Sequence, residues 1–220
     1  MLKIFRNRNL PYQFPRLYDA LVYQIIFRWL GMSGAAQTQL VATGIQRDGR
    51  LLEAPFGTGA LTLDLYASRP AIQVIGLDYS LPMLLAARRR IETKGLVNVQ
   101  LVCANMNVLP FANDTFDQIV TLNGLHVVDH PETVVDELLR VAEDGAMVVG
   151  TAGVAIGNEP RGGLQKLLTR LGWITPLDDQ KLHELLGLTW SKLTATRTGA
   201  MYAFRRPKLD QATGEEIAVA

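Results

Sequence analysis

The stretch Arg50-Leu51-Leu52-Glu53-Ala54-Pro55-Phe56-Gly57-Thr58-Gly59, with Asp78 nineteen residues beyond Gly59 in Val74-Ile75-Gly76-Leu77-Asp78-Tyr79-Ser80, leaves this chain few folds to choose from. An apolar run, a turn of small residues, a helical segment, a second apolar run and then an acid is the layout of a βαβ unit whose strand ends face a nucleoside. Gly57 and Gly59 suit the turn because a ligand can lie against backbone only where no Cβ intervenes, and because positive φ costs glycine little. A carboxylate at Asp78, ending the second strand, can accept hydrogen bonds from both hydroxyls of a ribose.

The identity of that nucleoside follows from what the turn lacks and what precedes it. A dinucleotide fingerprint requires a third glycine three residues after Gly59, and that position is Thr62. Glu53, four residues before Gly57, would repel a pyrophosphate but suits a ligand carrying an ammonium and a sulfonium. The residues therefore favour S-adenosylmethionine over NAD.

Glu53 to Gly59 resembles the first motif of class I S-adenosylmethionine-dependent methyltransferases, in the variant where proline replaces the first glycine. Leu109-Pro110-Phe111, Phe116-Asp117-Gln118-Ile119-Val120, Leu125-His126-Val127-Val128-Asp129-His130-Pro131 and Glu137-Leu138-Leu139-Arg140-Val141 resemble later motifs of the ubiquinone/menaquinone-biosynthesis-type branch. The resemblance runs from Pro15 to Pro207. It implies an α/β, Rossmann-like sheet of seven mostly parallel strands with an antiparallel C-terminal hairpin and helices on both faces. It further implies methyl transfer from S-adenosyl-L-methionine to carbon or oxygen of a hydrophobic small molecule. Cofactor contacts are implied for Glu53, Ala54, Pro55, Gly57 and Gly59 at the first strand and for Asp78, Tyr79 and Ser80 at the second. Asn105 and Met106 follow the third strand, where the family lines the adenine. Asn105 stands where the family has an aspartate; a carboxamide oxygen can still accept from an adenine amino group, through a neutral contact. Tyr18-Asp19 matches a Tyr-Asp pair that closes over the cofactor in the family, which implies Tyr18 as a site residue. Two alternatives stay open: a regulatory protein that binds the cofactor without transferring, and a cyclase or isomerase on the same fold.

With 220 residues and 48% hydrophobic content the chain is long enough for one well-packed α/β domain. The expected organisation is an N-terminal arm and helical cap over residues 1–49, a cofactor-binding core over 50–207 and a polar tail over 208–220. The net charge of +1 offers no basic field for nucleic acid. Cys103 is the one cysteine, so no internal disulfide or cysteine metal cluster can form, and a cytoplasmic location is expected. No apolar run is long enough to span a bilayer, and no signal-peptide core follows the first residues. Lys3, Arg6, Arg8 and Arg16 precede the first acid, Asp19; they form a solvated leader or a weak contact to an anionic membrane surface or an acidic partner. Nothing in the residues sets an oligomeric state.

Along the chain, the pattern predicts an aromatic-rich helix from Pro15 to near Gly31 and a second helix over 34–48. Strands over 50–54, 73–77, 99–102, 116–122 and 146–150 follow, with helices over 60–67, from Pro82 and over 131–141 between them. Arg88, Arg89 and Arg90 read as a solvated helix face. A glycine-rich connector over 151–163 leads to an apolar lid helix around Leu164–Trp173. A last helix over 178–186 precedes two strands, 188–197 and 199–206, joined by a hairpin turn.

The end of the fourth strand presents Asn123, Gly124, Leu125 and His126 toward the cleft, because open α/β sheets bind ligands at the carboxyl ends of their strands. His126 can act as a base toward a phenol, enol or activated carbon, or can be a histidine packed beside the cleft and bonded to backbone; both readings stay open. His130 and His183 read as a cap residue and an outer-helix residue. No nucleophile elbow and no paired His/Cys spacing for zinc occurs.

Overall fold

The computed structural model describes residues 11–20, 33–45, 47–155, 163–170, 175, 177–186, 193–195 and 199–205. Five strands, β1 (Gly49–Glu53), β2 (Ile72–Asp78), β3 (Val99–Cys103), β4 (Phe116–Leu122) and β5 (Ala142–Ala155), form a parallel sheet in the order β3-β2-β1-β4-β5. β6 (Leu177–Asp178) pairs with the far end of β5, β7 (Leu193–Ala195) lies at the sheet edge, and β8 (Gly199–Arg205) runs antiparallel to both β5 and β7. The helices are α1 (Pro15–Tyr18), α2 (Gly34–Gly44), α3 (Leu63–Ala67), α4 (Leu81–Lys94), α5 (Pro131–Val141), α6 (Gly163–Arg170) and α7 (Asp179–Leu186).

Alternation along the strands sorts the core into two layers. Leu51, Val74, Val120 and Val149 face one side, where Val41 of α2, Leu63 and Tyr66 of α3, and Ala87 and Ile91 of α4 cover them. Leu52, Leu77, Ile119 and Val148 face the other, under Val134, Val135, Leu138 and Val141 of α5 and Leu182 of α7. Each fully buried aliphatic side chain contributes about 1.5–3 kcal/mol relative to exposure. The helices cover the sheet because their apolar residues recur every three or four positions: Met83, Ala87 and Ile91 in α4, and Val134, Leu138 and Val141 in α5. β1 is central, with Leu51, Leu52 and Glu53 between Val74, Ile75 and Gly76 of β2 and Gln118, Ile119 and Val120 of β4. Strand order reverses between β1 and β4, which opens a crevice beyond their carboxyl ends.

Several boundaries differ from the sequence reading, each for a local reason. The helix expected from residue 60 starts at Leu63, because Gly57 (φ 58°) and Gly59 (φ 69°) hold a left-handed turn that cannot be helical. The helix expected over 34–48 stops at Gly44, with the hydroxyl of Ser33 accepting the Ala36 N–H at its start. β5 begins at Ala142 rather than 146: Ala142 pairs with Phe116 and Met147 with Gln118, so an irregularity containing Gly145 (φ 76°) absorbs the bend out of α5. β5 also runs on to Ala155, where β6 and β8 supply ladder partners for what was read as a connector. α7 starts at Asp179 because Leu177 and Asp178 pair with β5 instead. α2 packs against β5 and β8. The predicted continuation of the first helix to Gly31, connector residues 156–162, most of the 188–197 strand and the hairpin turn lie outside the described residues.

Among the described residues no helix is long and apolar enough to cross a membrane, and no group of His, Cys, Asp and Glu could hold a metal ion.

Candidate active site

A cleft of about 920 Å³ lies at the carboxyl ends of β1, β2 and β4. Tyr18, Glu53, Pro55, Gly57, Asp78, Tyr79, Ser80, Asn105, Met106 and Asn123 line it; Ala54, Gly59 and His126 do not. Ala54 is fully buried beneath the floor, its N–H bonded to the Val120 carbonyl. Gly59 faces Leu63 and Phe56, so its role is to let the turn close, whereas a Cβ on Gly57 would meet no protein atom within 4 Å.

Two carboxylates anchor the first wall. The Tyr66 hydroxyl donates to Glu53 Oε2 at 2.6 Å. Burial pushes the Glu53 carboxyl up to about 8, an effect that the Tyr66 hydrogen bond opposes. Asp78 Oδ2 accepts the Gly57 N–H at 2.7 Å and Oδ1 accepts the Ser80 N–H at 2.8 Å. Burial raises the Asp78 carboxyl as well, against those backbone bonds. The acid at the end of β2 thus fixes the glycine turn at the end of β1. Phe56 lies on Gly76 of β2, where a Cβ would come within 2.6 Å of the ring; the missing side chain makes room for the aromatic.

The loop after β3 is held from below. Arg140 of α5 donates to the carbonyls of Leu109 and Phe111, to Asn113 Oδ1 and to Glu137, whose other bond is to the Leu109 N–H. Asn105 Oδ1 accepts both the backbone N–H and the side-chain amide of Asn107. The oxygen expected to receive an adenine amino group is therefore engaged within its own loop. Asn123, at φ 57°, sends its amide nitrogen to Gln37 Oε1 at 2.7 Å, and the Thr151 hydroxyl lies within 3.3 Å of both side chains. Short polar side chains tolerate that backbone conformation better than others.

His126 packs beneath the loop. Its Nδ1 accepts the Gly153 N–H at 2.9 Å, leaving the proton on Nε2, and burial lowers its value to about 4. This is the geometry of the backbone-bonded histidine that the sequence left open beside the base.

The cleft also contains residues that sequence reasoning did not assign: Tyr12, Phe56, Asn107, Val127, Val128, Asp129 and His130. The strand-end rule pointed to the loop after β4 but not to which of its residues turn inward. Tyr12 stood in a segment read as an irregular arm. Its ring lies 5.5 Å from that of Tyr18, and the Ser80 hydroxyl donates to its carbonyl. Arg90, read as part of a solvated face, instead donates to Asp19 Oδ2 at 2.6 Å and to the Thr58 carbonyl at 2.9 Å. Arg88 does lie on that face, paired with Glu92.

A parallel sheet with a glycine turn after β1 and an acid ending β2 defines a nucleoside-binding α/β protein. Residues 51–145 match the family described as a methyltransferase domain. The chain is 35% identical over 165 residues to a phosphatidylethanolamine N-methyltransferase of Cereibacter sphaeroides, covering 73% of this chain and 80% of that one. It is 36% identical over 100 residues to a demethylmenaquinone methyltransferase of Thermus thermophilus, 46% of this chain and 45% of that one, so it spans under half the length of that relative. Among solved structures, the [4+2]-cyclase SpnF superposes with a TM-score of 0.65 at 20% identity, over 78% of this chain and 80% of that one. The chain belongs to the S-adenosylmethionine-dependent methyltransferases. The cleft suits that cofactor: a turn whose first glycine leaves its backbone open to the ligand, carboxyl groups at the ends of both strands, and no lysine or arginine among the described lining residues to oppose a cation.

Proposed function

We propose that this methyltransferase moves the methyl group of S-adenosylmethionine to a hydrophobic small molecule, at carbon or oxygen, seated between the 11–20 segment and the loop after β4. The observation that carries this reading is the composition of that part of the cleft. Tyr12, Tyr18, Leu122, Val127 and Val128 line it, while no lysine or arginine lines it among the described residues. An acceptor bearing phosphate next to the reacting atom would find no cation there.

The bound cofactor supplies an electrophilic methyl group on a sulfonium. In this reading Glu53 faces its cationic amino-acid end, Asp78 its ribose, and the backbone of Gly57 the chain between them. Asn105 and Met106 flank the base, Asn123 the reacting end. The protein contributes orientation and water exclusion, which can remove much of the barrier to an in-line displacement. In this reading His126 orders the loop rather than removing a proton, a role supported by the bond that its Nδ1 accepts from the Gly153 N–H. The cap of residues 1–49 contributes Tyr12 and Tyr18. Its basic leader is suited to weak contact with an anionic membrane surface, and the exposed free thiol of Cys103 suits a reducing cytoplasm.

A second reading, methylation of a lipid amine nitrogen, is favoured by Asp129, a carboxylate on the acceptor side that suits an ammonium, and by the phosphatidylethanolamine N-methyltransferase similarity. Mass spectrometry of lipid extracts incubated with the protein and methyl-labelled cofactor tests both. A methyl gain on quinols or phenols supports the first reading and a gain on amino-lipids the second. Binding of S-adenosylhomocysteine without any gain would sink both in favour of the regulatory alternative, and a product with unchanged mass would indicate a cyclase or isomerase.

A further inference from the structure

Thr58 stands between the two glycines of the cofactor turn and is wholly buried. Its hydroxyl donates to Asp19 Oδ1 at 2.8 Å. Its carbonyl accepts from Arg90 Nη1, and Arg90 Nη2 donates to the other oxygen of Asp19. Three residues from three separate parts of the chain thus close a ring: the 11–20 segment, the turn after β1, and the body of α4. The guanidinium spans it, one nitrogen on the turn and one on the segment. Its planar fork makes such a grip directional as well as charged. The side chains are partly withdrawn from water, 36% exposed for Arg90 and 16% for Asp19. A second clasp, from the Ser80 hydroxyl to the Tyr12 carbonyl, ties the other end of the segment to the residue that bonds Asp78. Tyr12, whose carbonyl makes the second clasp, and Tyr18, next to Asp19, both line the cleft.

This arrangement has a mechanical consequence. The turn that faces the cofactor and the segment that roofs the cleft share Arg90, so neither can shift without straining the other. We propose that Arg90 is a positioning residue that gates the cofactor: S-adenosylmethionine enters and its product leaves only when the Asp19–Thr58–Arg90 ring opens and the 11–20 segment lifts. The gate rests on the reading that this cleft holds the cofactor. It adds a role for a side chain that touches neither cofactor nor acceptor.

A gate differs from a merely structural contact in its kinetics. Loosening a gate accelerates both entry and exit, whereas distorting a binding surface accelerates exit and leaves entry unchanged or slower. The test uses the full chain and S-adenosylhomocysteine, with association and dissociation followed by stopped-flow fluorescence and hydrogen exchange measured across residues 11–20. Arg90→Gln and Asp19→Asn are each expected to raise both rate constants by about tenfold, the lower end for a lost hydrogen bond to a charged group. The equilibrium constant should move by less than either rate. Exchange in residues 12–20 should quicken while β1 and β4 amides keep their protection, and Arg90→Lys should fall between wild type and Arg90→Gln. Faster dissociation with unchanged or slower association, or unchanged exchange in 12–20, overturns the gate. Should Arg90→Gln fail to fold, Asp19→Asn and Thr58→Val carry the same expectation. If the wild-type protein binds no S-adenosylhomocysteine, the cofactor reading of this cleft fails, and the exchange experiment still decides whether Arg90 holds the segment down.

Discussion

The two walls of the cleft are built by different means. At the ends of β1 and β2 the groups that face the ligand are held by other parts of the fold: Glu53 by Tyr66, Asp78 by the Gly57 and Ser80 amides, and the glycine turn through the buried Thr58, which Asp19 and Arg90 grip. Across the cleft, Val127 and Val128 are half-buried, while Asp129 and His130 are exposed, and the His130 ring lies 3.6 Å from Glu132. The first wall is set in place by the backbone and by buried pairs before any ligand arrives. The second is a loop whose side chains can change without moving a strand. A shared cofactor and a variable acceptor call for that division.

The sharpest way to break the comparison is at the turn itself. Gly57→Val fills the open side of the turn and should abolish S-adenosylhomocysteine binding in calorimetry. The left-handed backbone costs roughly 1–2 kcal/mol in such a residue, so the melting temperature should fall by only a few degrees. A bound and active Gly57→Val would place the cofactor elsewhere.

Next in size is Asp78→Ala. It removes the expected ribose contacts and the partner of the Gly57 amide, and should weaken cofactor binding by about 1.5–3 kcal/mol, the range for hydrogen bonds to charged groups. Unchanged affinity would sink the ribose assignment.

Titration separates the walls in a third way. The Glu53 carboxyl keeps its proton to about 8 in the folded chain but to 4.5 when unfolded, so across that window the folded state holds the extra proton and stability falls as pH rises. His126 behaves oppositely: unfolded it gains a proton below 6.5, folded only near 4, so its contribution is complete above 6.5 and is lost as pH falls toward 4. Melting curves from pH 4 to 9 should show Glu53→Gln flattening the alkaline limb and His126→Asn the acid limb. If the two variants shift the same limb, these assignments are wrong.

The smallest effects belong to the loop. Asp129→Asn and His130→Ala should leave S-adenosylhomocysteine affinity unchanged and alter the acceptor KM by at most about fivefold, the scale of an exposed charge contact. A loss of cofactor affinity comparable to that of Asp78→Ala would erase the distinction between the walls.

The same division explains what could be read from the chain without coordinates. Gly57, Gly59 and Asp78 were legible because a turn, a close approach and a strand-end acid each demand a residue type at a set spacing. The five parallel strands were legible from their apolar runs. Arg90 was not, because periodicity places three consecutive arginines toward one end of a helix and cannot say which one folds back 71 positions to Asp19. Nor was the true extent of β5, since the residues after Gly150 look like connector until β6 and β8 lie beside them. Asn105 was read by its chemistry alone. Its oxygen is committed by a loop bond to Asn107 two residues away, which its side-chain type permits but does not announce.

Phe56 on Gly76 has a consequence for how this chain can change over time. The ring fills the space that any side chain at 76 would need, so a larger residue there is admissible only once position 56 has shrunk. Shrinking 56 first leaves a hole beside the turn, a step that costs about 3–5 kcal/mol for a buried phenylalanine. Neither change is tolerated alone, although both together restore the volume. The two positions therefore form a locked pair: a library randomising both should show strong sign epistasis between them, and a lineage that carries the pair leaves it by a double step.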